Sequence, residues 1–369
     1  MKSSEIVGGA ADEIFGELND WIANAVARVI QSNETEFLLD TELVNGDGES
    51  YSVNLNMAPL IDSSNNSLGC TLVIEDISKE KRVRSTMARY MTSEIADQVL
   101  AEHDSVLGGQ AQLATVMFTD IRDFTGLTEE LGASGTVSML NEYFTEMVEV
   151  VFENNGILDK YIGDAIMAVF GAPFPSEDDA DRAVGCAIDM QQRLIGFNRQ
   201  RIRNASAPID IRIGINSDQV VTGNIGSQRR MDYTVIGDGV NVAARLESAN
   251  KHFGTRTLIS AATVKLLQQD YHLRELDLLR IRGKKHPTAI FEVIGRADMT
   301  LSEQQTEMFS HFRAGMAYYR ARDWIQAVAE FGTALRLNPA DRPSQIFCTR
   351  STRYLENPPP SDWDGVWEG

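Results

Sequence analysis

Cysteine is scarce in this 369-residue chain: Cys70, Cys186 and Cys348 are odd in number and far apart. That excludes a disulfide framework and any CxxC metal pattern. The five histidines form no HExxH and no His/Cys cluster, which removes the usual zinc sites. Long apolar runs are missing too. None approaches the roughly 18 residues that a membrane helix needs, and MKSSEIVGGAADE has no signal-peptide core. Positive charge is the other shortage: Lys and Arg number 34 against 53 Asp and Glu, a formal charge of −19. Such a balance repels phosphate backbones and anionic lipid, so neither nucleic acid nor membrane is an expected partner. A local basic pocket for a small phosphate ligand stays open. What is present is ordinary for a folded protein, with 43% hydrophobic and 24% charged residues, and this excludes whole-chain disorder. The length suits two or three domains. These readings describe a soluble, cytoplasmic protein.

Composition shifts divide the chain into segments 1–77, 78–107, 108–297 and 298–369. The first opens with FGELNDWIANAVARVI, where Phe15, Leu18, Ile22, Val26 and Val29 recur at helical spacing. Strand-like EFLLDTELV and SYSVNLNMAPLI follow, joined through Asn45-Gly46-Asp47-Gly48, whose residues accept positive φ and predict a hairpin. A third strand, SLGCTLVIEDI, ends in Glu-Asp-Ile-Ser. This α/β segment resembles the C-terminal half of a PAS domain, without that family's early strands and without the flavin-reactive cysteine motif. Residues 78–102 predict a linker helix with Ser78 as N-cap, and Val83, Met87 and Tyr90 fall at the spacing of a short parallel seam between two copies, with an ordinary connector lying on its own domain as the equal alternative. Segment 108–297 alternates strand-like and helical patterns, which argues for an α+β domain with a mixed sheet. In its helix SGTVSMLNEYFTEMVEVVFEN, the residues Val137, Leu140, Phe144, Met147, Val148 and Val151 predict one core-facing stripe. The last segment holds two helical patterns. Gly315, Tyr318, Ala327, Phe331, Ala334 and Pro339 fall at the spacing of one tetratricopeptide repeat, a short helical repeat that needs a neighbour to stack on. Its tail, ENPPPSDWDGVWEG, reads as extended with exposed tryptophans.

Three stretches carry chemistry. In VMFTDIRDFTGLTEE an apolar strand ends at Asp120, and a helix is expected to open at Thr125 or Thr128, where free N–H groups would cradle phosphate oxygens. Taken alone, Asp120 could equally cap that helix. In GILDKYIGDAIMAVFG two short strands flank Gly163-Asp164, which puts Asp164 at a hairpin tip. Two such carboxylates can share divalent cations that neutralise a polyphosphate and activate a hydroxyl. Lys160 alternates in phase with Leu158 and Ile162, and an inward-facing lysine needs a ligand or a snorkelling path. In MDYTVIGDGVNVAARLE a strand leads into a helix carrying Asn241 and Arg245 one turn apart, able to reach a common ligand. Arginine there suits phosphate oxygens and the charge that develops in phosphoryl transfer.

Together Phe118-Thr-Asp-Ile-Arg-Asp-Phe-Thr125, Lys160-Tyr-Ile-Gly-Asp164 and Asp232-Tyr-Thr-Val-Ile-Gly-Asp-Gly-Val-Asn-Val-Ala-Ala-Arg245 resemble the class III nucleotidyl cyclase catalytic domain, over roughly 108–296. The resemblance implies a ferredoxin-like α+β domain that converts ATP to 3′,5′-cyclic AMP and pyrophosphate, an adenylate cyclase of intracellular signalling. It implies two Mg²⁺ (or Mn²⁺) ions per active site, held by Asp120, Asp164 and the carbonyl of Ile121. Phe124, Thr125 and Gly126 fall in the triphosphate loop, Asn241 matches the ribose-orienting residue and Arg245 the transition-state arginine. Lys160 and Thr234 match the purine-recognising pair. Guanylyl relatives look like Glu and Cys there, whereas a Lys donor to adenine N1 and a Thr acceptor for its amino group suit ATP. The Lys/Thr pairing, cyanobacterial in type, is similar to a bicarbonate-responsive subgroup, so a small regulator such as bicarbonate is an expected partner. Arg212 aligns with a phosphate-contacting arginine, with a strand arginine paired to a carboxylate as the alternative. Arg282 or Lys284 would reach the terminal phosphates. The family's sites form between two head-to-tail subunits, one giving the aspartates and the other the purine pair, Asn and Arg, so a homodimer follows. Two departures stand out. Asp123 and Asp218 replace usual glycines; Asp123 is expected to point to solvent, and Asp218 to occupy left-handed backbone. The other readings are a guanylate cyclase, or a non-catalytic sensor or scaffold with a degenerate cyclase domain; the aspartates and the arginine whose loss would favour the latter are all present.

Overall fold

The computed structural model describes residues 7–8, 10–62, 67–79, 81, 109–227, 230–280, 287–363 and 365–366. The chain divides into two compact units, Met1–Arg89 and Tyr90–Gly369. In the first, α1 (Ala11–Phe15) and a 3-10 turn lead into α2 (Asp20–Ser32). The strands β1 (Glu36–Val44), β2 (Ser50–Ile61) and β3 (Ser67–Asp76) form an antiparallel sheet in the order β1-β2-β3. Alternation along β2 turns Val53, Leu55 and Met57 onto Ile22, Ala25 and Val29 of α2. The expected apolar stripe holds at Ile22 and Val29. It fails at Leu18, which is 70% exposed, because the helix breaks at Gly16 (φ 67°) and its phase restarts. The hairpin turn falls where expected, with Gly48 at φ 83° and Asn45 Oδ1 accepting from the N–H groups of Asp47 and Glu49. The linker helix expected over 78–102 lies outside the described residues from 82 onward.

The second unit is built on an eight-stranded mixed sheet in the order β10-β11-β9-β7-β4-β6-β5, with β8 also paired to β7. Its strands are β4 (Gln110–Ile121), β5 (Ile157–Ile162), β6 (Ala165–Phe170), β7 (Ile211–Ser227), β8 (Arg230–Ile236), β9 (Thr257–Ser260), β10 (Tyr271–Leu279) and β11 (Thr288–Arg296). Helices α3 (Phe124–Glu153), α4 (Asp179–Arg203), α5 (Asp238–Phe253) and the single turn α6 (Ala261–Val264) connect them. The run β4-α3-β5-β6-α4-β7, with β7, β4, β6 and β5 side by side, is the split βαβ arrangement. Among the described residues the one parallel pair is β7 with β9, so the sheet is mixed and the class α+β, as the alternation of patterns implies.

Parity along β4 assigns the two faces. Met117 and Ile121 enter the large core under α3 and α4, while Ala114, Val116 and Phe118 face the side that α5 covers. Asp120 shares the parity of this second set. The stripe predicted on α3 holds at Leu140, Phe144, Met147, Val148 and Val151, which pack on the large core, and it is wider than expected. Val137 is 58% exposed, and Met139, Tyr143 and Val150 are buried beside Met147, Val148 and Val151. The helix kinks at Gly132 (φ 66°) and then packs on both the sheet and α4, so two faces are apolar rather than one.

Beyond the sheet come α7 (Glu303–Arg320), α8 (Trp324–Leu337) and α9 (Arg342–Glu356). The third helix was not anticipated; Asp341 caps it, and Pro343 sits in its first turn, where the missing N–H costs nothing. The three helices share one core with the sheet domain. Phe312, Phe331 and Phe347 join Val242, Leu246 and Phe253 of α5 and Leu276 and Ile290 of the sheet. The expected neighbour is thus the 108–297 segment itself. Trp363 is not exposed on an extended tail either. It lies 5.5 Å from Tyr319, 5.7 Å from Trp324 and 5.4 Å from Tyr354, ring to ring, with Nε1 donating to the carbonyl of Val366.

Candidate active site

Asp120 is the penultimate residue of β4 and Asp164 sits in the β5–β6 turn. The turn folds back so that Asp164 Oδ2 accepts from the N–H of Ile121 at 3.2 Å, which sets the two carboxyl groups side by side. Burial, a hydrogen bond with Asp164 and the Asp164 charge push the Asp120 carboxyl up to about 7, with Glu247 adding to the rise and Arg212 opposing it. Two facing carboxylates without a counter-cation between them are the donor set of a divalent-cation site. Among the described residues no group of three or more His, Cys, Asp or Glu side chains is placed to hold a metal, so any further ligands would come from backbone, water or substrate.

Arg212 is the cross-strand partner of Asp120 in β4–β7 and lies on the same sheet face. It forms no ion pair within 4 Å among the described residues, and its charge acts on both Asp120 and Glu247. Position alone therefore distinguishes neither of its expected roles. Glu247 was missed in the sequence. It projects from α5, buried, with Oε1 unpartnered among the described residues and with its carboxyl raised by burial.

Phe124, Thr125 and Gly126 form the first turn of α3, so the helix opens at Phe124 rather than at Thr125 or Thr128. No side chain caps it, and its leading N–H groups meet no capping oxygen. Asp123 occupies the preceding position at φ 53°, the left-handed conformation a glycine would adopt freely, and its side chain is 79% exposed, as expected. Asp218 is different. It lies in β7 without positive φ, and what its position demands falls on Gly239, whose Cβ would stand 2.4 Å from that of Asp218.

Helix α5 is clamped along β7. Asn216 Nδ2 donates to the carbonyl of Gly239 at 2.9 Å, and Asn250 Nδ2 to that of Ile213 at 2.9 Å. Between these ties the helix rides on Gly214, where a Cβ would lie 2.1 Å from the nitrogen of Glu247. Asn241 and Arg245 project from this fixed helix, exposed, and form no side-chain hydrogen bond or ion pair with a described residue.

Lys160 and Thr234 come together, but not by simple alternation. β5 carries a bulge: Leu158 faces Ala168 and Lys160 faces Met167, which leaves Asp159 as the extra residue. Lys160 is thereby taken out of phase with buried Leu158, and Ile162 is 50% exposed. Thr234 Oγ1 donates to Asp159 Oδ2 at 2.6 Å, and Lys160 Nζ lies 3.2 Å from Asp159 Oδ1. Arg282 and Lys284 lie outside the described residues.

Residues 108–294 match the family model of the adenylate and guanylate cyclase catalytic domain. Among curated proteins, the chain is 32% identical over 245 residues to adenylate cyclase 1 of Rhizobium meliloti, covering 66% of this chain and 36% of that protein. It is 34% identical over 242 residues to an adenylate cyclase of Anabaena cylindrica, covering 63% and 47%. The chain thus spans less than half the length of either relative. Among solved structures, the guanylyl cyclase Cya2 aligns with TM-score 0.50 and 35% identity over 53% of this chain and all of that one.

Proposed function

The chain belongs to the adenylate and guanylate cyclase catalytic-domain family, and on that premise we propose that it is an adenylate cyclase acting as a homodimer. The observation that carries the purine assignment is the convergence of Lys160 and Thr234, from two different strands, on the buried Asp159 carboxylate. Lys160 keeps N–H donors for adenine N1, and Thr234 keeps lone pairs for the 6-amino group. Asp120, Asp164 and the carbonyl of Ile121 would hold the divalent cations, two Mg²⁺ or Mn²⁺. When bound, the ions neutralise the triphosphate and ease loss of the ribose 3′-hydroxyl proton. The chain's own residues do the rest. The uncapped N–H groups at Phe124, Thr125 and Gly126 receive phosphate oxygens. Asn241 orients the ribose, and Arg245 meets the charge that builds up as the 3′-oxygen attacks the α-phosphorus and pyrophosphate departs. Arg212 serves the phosphates from beside Asp120. Asn241 and Arg245 are exposed and make no side-chain bond with a described residue, which fits a site completed by a second subunit.

The other segments take supporting parts: residues 1–77 as a PAS-like sensory segment, 78–107 as linker, and 298–369 as a helical-repeat module that braces α5. Bicarbonate stays a candidate regulator through the Lys/Thr pairing. A guanylate cyclase is the second reading, favoured by the likeness to Cya2. Purified protein supplied with Mg²⁺ or Mn²⁺ and with ATP or GTP separately decides between them. Cyclic AMP from ATP alone is the expected result; cyclic GMP overturns the purine assignment, and a folded dimer that makes neither overturns catalysis. Mixing Asp120→Ala with Arg245→Ala chains restores about a quarter of the activity if sites are shared across a twofold dimer.

A further inference from the structure

We infer that Asp159 is a positioning residue for base selection, which fixes the direction of the Thr234 hydroxyl and thereby makes the pocket accept a 6-amino purine and reject a 6-oxo one. The inference rests on the adenylate reading above and goes beyond it, because it concerns a residue that does not itself face the base.

A threonine hydroxyl has one proton and two lone pairs, and left to itself it rotates to suit whatever it meets. Such a hydroxyl accepts from an adenine amino group or donates to a guanine carbonyl with equal ease, so Thr234 alone cannot discriminate. Here its proton is committed. Oγ1 donates to Asp159 Oδ2 at 2.6 Å, and the same oxygen lies 3.4 Å from the N–H of Val235. Thr234 is itself only 7% exposed, so no water competes freely for the proton. With the proton spent, only lone pairs remain for a ligand. A 6-amino group satisfies them. A 6-oxo group sets oxygen against oxygen and leaves both unpaired in a dry site.

The second carboxylate oxygen acts on the other member of the pair. Asp159 Oδ1 is buried with no well-angled hydrogen bond among the described residues, and its nearest cation is Lys160 Nζ at 3.2 Å. That contact holds one end of Lys160 while its side chain stays 39% exposed, with donors left for a ring nitrogen. Burying a carboxylate, here 3% exposed, is costly unless its oxygens are used. The bulge makes this use possible: in a regular strand adjacent side chains point to opposite faces, and the inserted residue brings Asp159 and Lys160 to one place.

The test compares kcat and KM for ATP and GTP in the full chain and in Asp159→Asn, Thr234→Val and the double variant. An amide offers Thr234 an N–H as readily as an oxygen, so in Asp159→Asn the hydroxyl regains its freedom. The ATP-over-GTP ratio of kcat/KM then falls about 10- to 100-fold, with much of the change in KM for GTP. In the Thr234→Val background the same substitution moves the ratio by less than about 3-fold, since its route runs through the hydroxyl. Thr234→Ser keeps the ratio. An Asp159→Asn protein that loses activity equally on both nucleotides, with its ratio intact, overturns the inference and leaves Asp159 a strand staple. A parent chain that prefers GTP overturns the adenylate reading and the inference together, so the two failures are read from different proteins. If turnover is absent, displacement of methylanthraniloyl-ATP by ATP and by GTP in Ca²⁺ gives the same ratios as affinities. Should Asp159→Asn not fold, Asp159→Ser, which also removes the fixed acceptor, is read by the same criteria.

Discussion

Replacing Asp164 by Asn should stabilise the metal-free protein at alkaline pH while destroying its activity. The reason lies in the pair itself. Asp120 and Asp164 face each other, and the Asp120 carboxyl is pushed from 3.8 up to about 7 by burial first and by Asp164 second. A displacement of that size bounds the effect at about 4 kcal/mol. Burial carries the first share and solvent screens this half-buried pair, so the part removable through Asp164 is about 1 kcal/mol. Asparagine keeps an oxygen for the Ile121 N–H, so the turn need not open. The sign follows from proton binding. With its folded value above its unfolded one, Asp120 contributes stability fully below about pH 4, and this is lost as pH rises through about 7. Asp164→Asn therefore gains about 1–2 °C in melting temperature near pH 8, and the gain closes near pH 5, where Asp120 is already protonated. Millimolar Mg²⁺ reverses the order, raising the parent protein's midpoint by mass action and the variant's much less. Thermal melts at two pH values, with and without Mg²⁺, check all of this. A variant that is less stable near pH 8 without cation would refute the like-charge argument, and an equal Mg²⁺ response in both proteins would refute the cation assignment.

The C-terminal helices supply further tests. Arg274 is buried between Glu292 and Asp341, with its Nε and Nη1 each 2.8 Å from a carboxylate oxygen and its guanidinium 4.8 Å from the ring of Phe312. Burial works against its charge and the two carboxylates outweigh it. Arg274→Met strands both acids and should cost about 3–5 kcal/mol in urea unfolding, much of it recovered by adding Glu292→Gln and Asp341→Asn. Gly315→Ala would place a Cβ 2.7 Å from the ring of Phe331 and should destabilise by about 1–3 kcal/mol. Gly332→Ala meets nothing within 4 Å and should stabilise α8 by about 0.5–1 kcal/mol, so the two substitutions move the melting midpoint in opposite directions. His252 accepts from Arg350 Nη2 at 3.2 Å, which requires a neutral ring, and burial followed by the Arg350 charge lowers its pKa. Stability should therefore fall as pH drops below about 6.5, with a slope that His252→Gln removes when unfolding midpoints are compared.

What the sequence made legible was whatever local chain geometry encodes. Asp120 follows an apolar run, Asp164 follows a glycine between two short strands, and Asn241 and Arg245 are one turn apart; each placement needs only the period of one element. The unread parts depend on how elements meet. Glu247 carries no motif and matters because α5 is pressed onto β7 at Gly214, a contact between residues far apart in the chain. Helix α9 escaped because the last segment reads as two helical patterns, although Asp341 caps a third and Pro343 suits its first turn. Asp159 is the sharpest case. Period-two alternation sends it to the face opposite Lys160, and by that rule it cannot serve the purine pair. One inserted residue, visible only once β5 is paired with β6, reverses that conclusion. The bulge converts two adjacent side chains into neighbours and aims the buried carboxylate at Thr234 on β8. Selectivity for the purine edge would then be set by a strand irregularity together with the two residues whose types suggest it. A substitution that regularised β5 should disturb nucleotide preference even with Lys160 and Thr234 untouched.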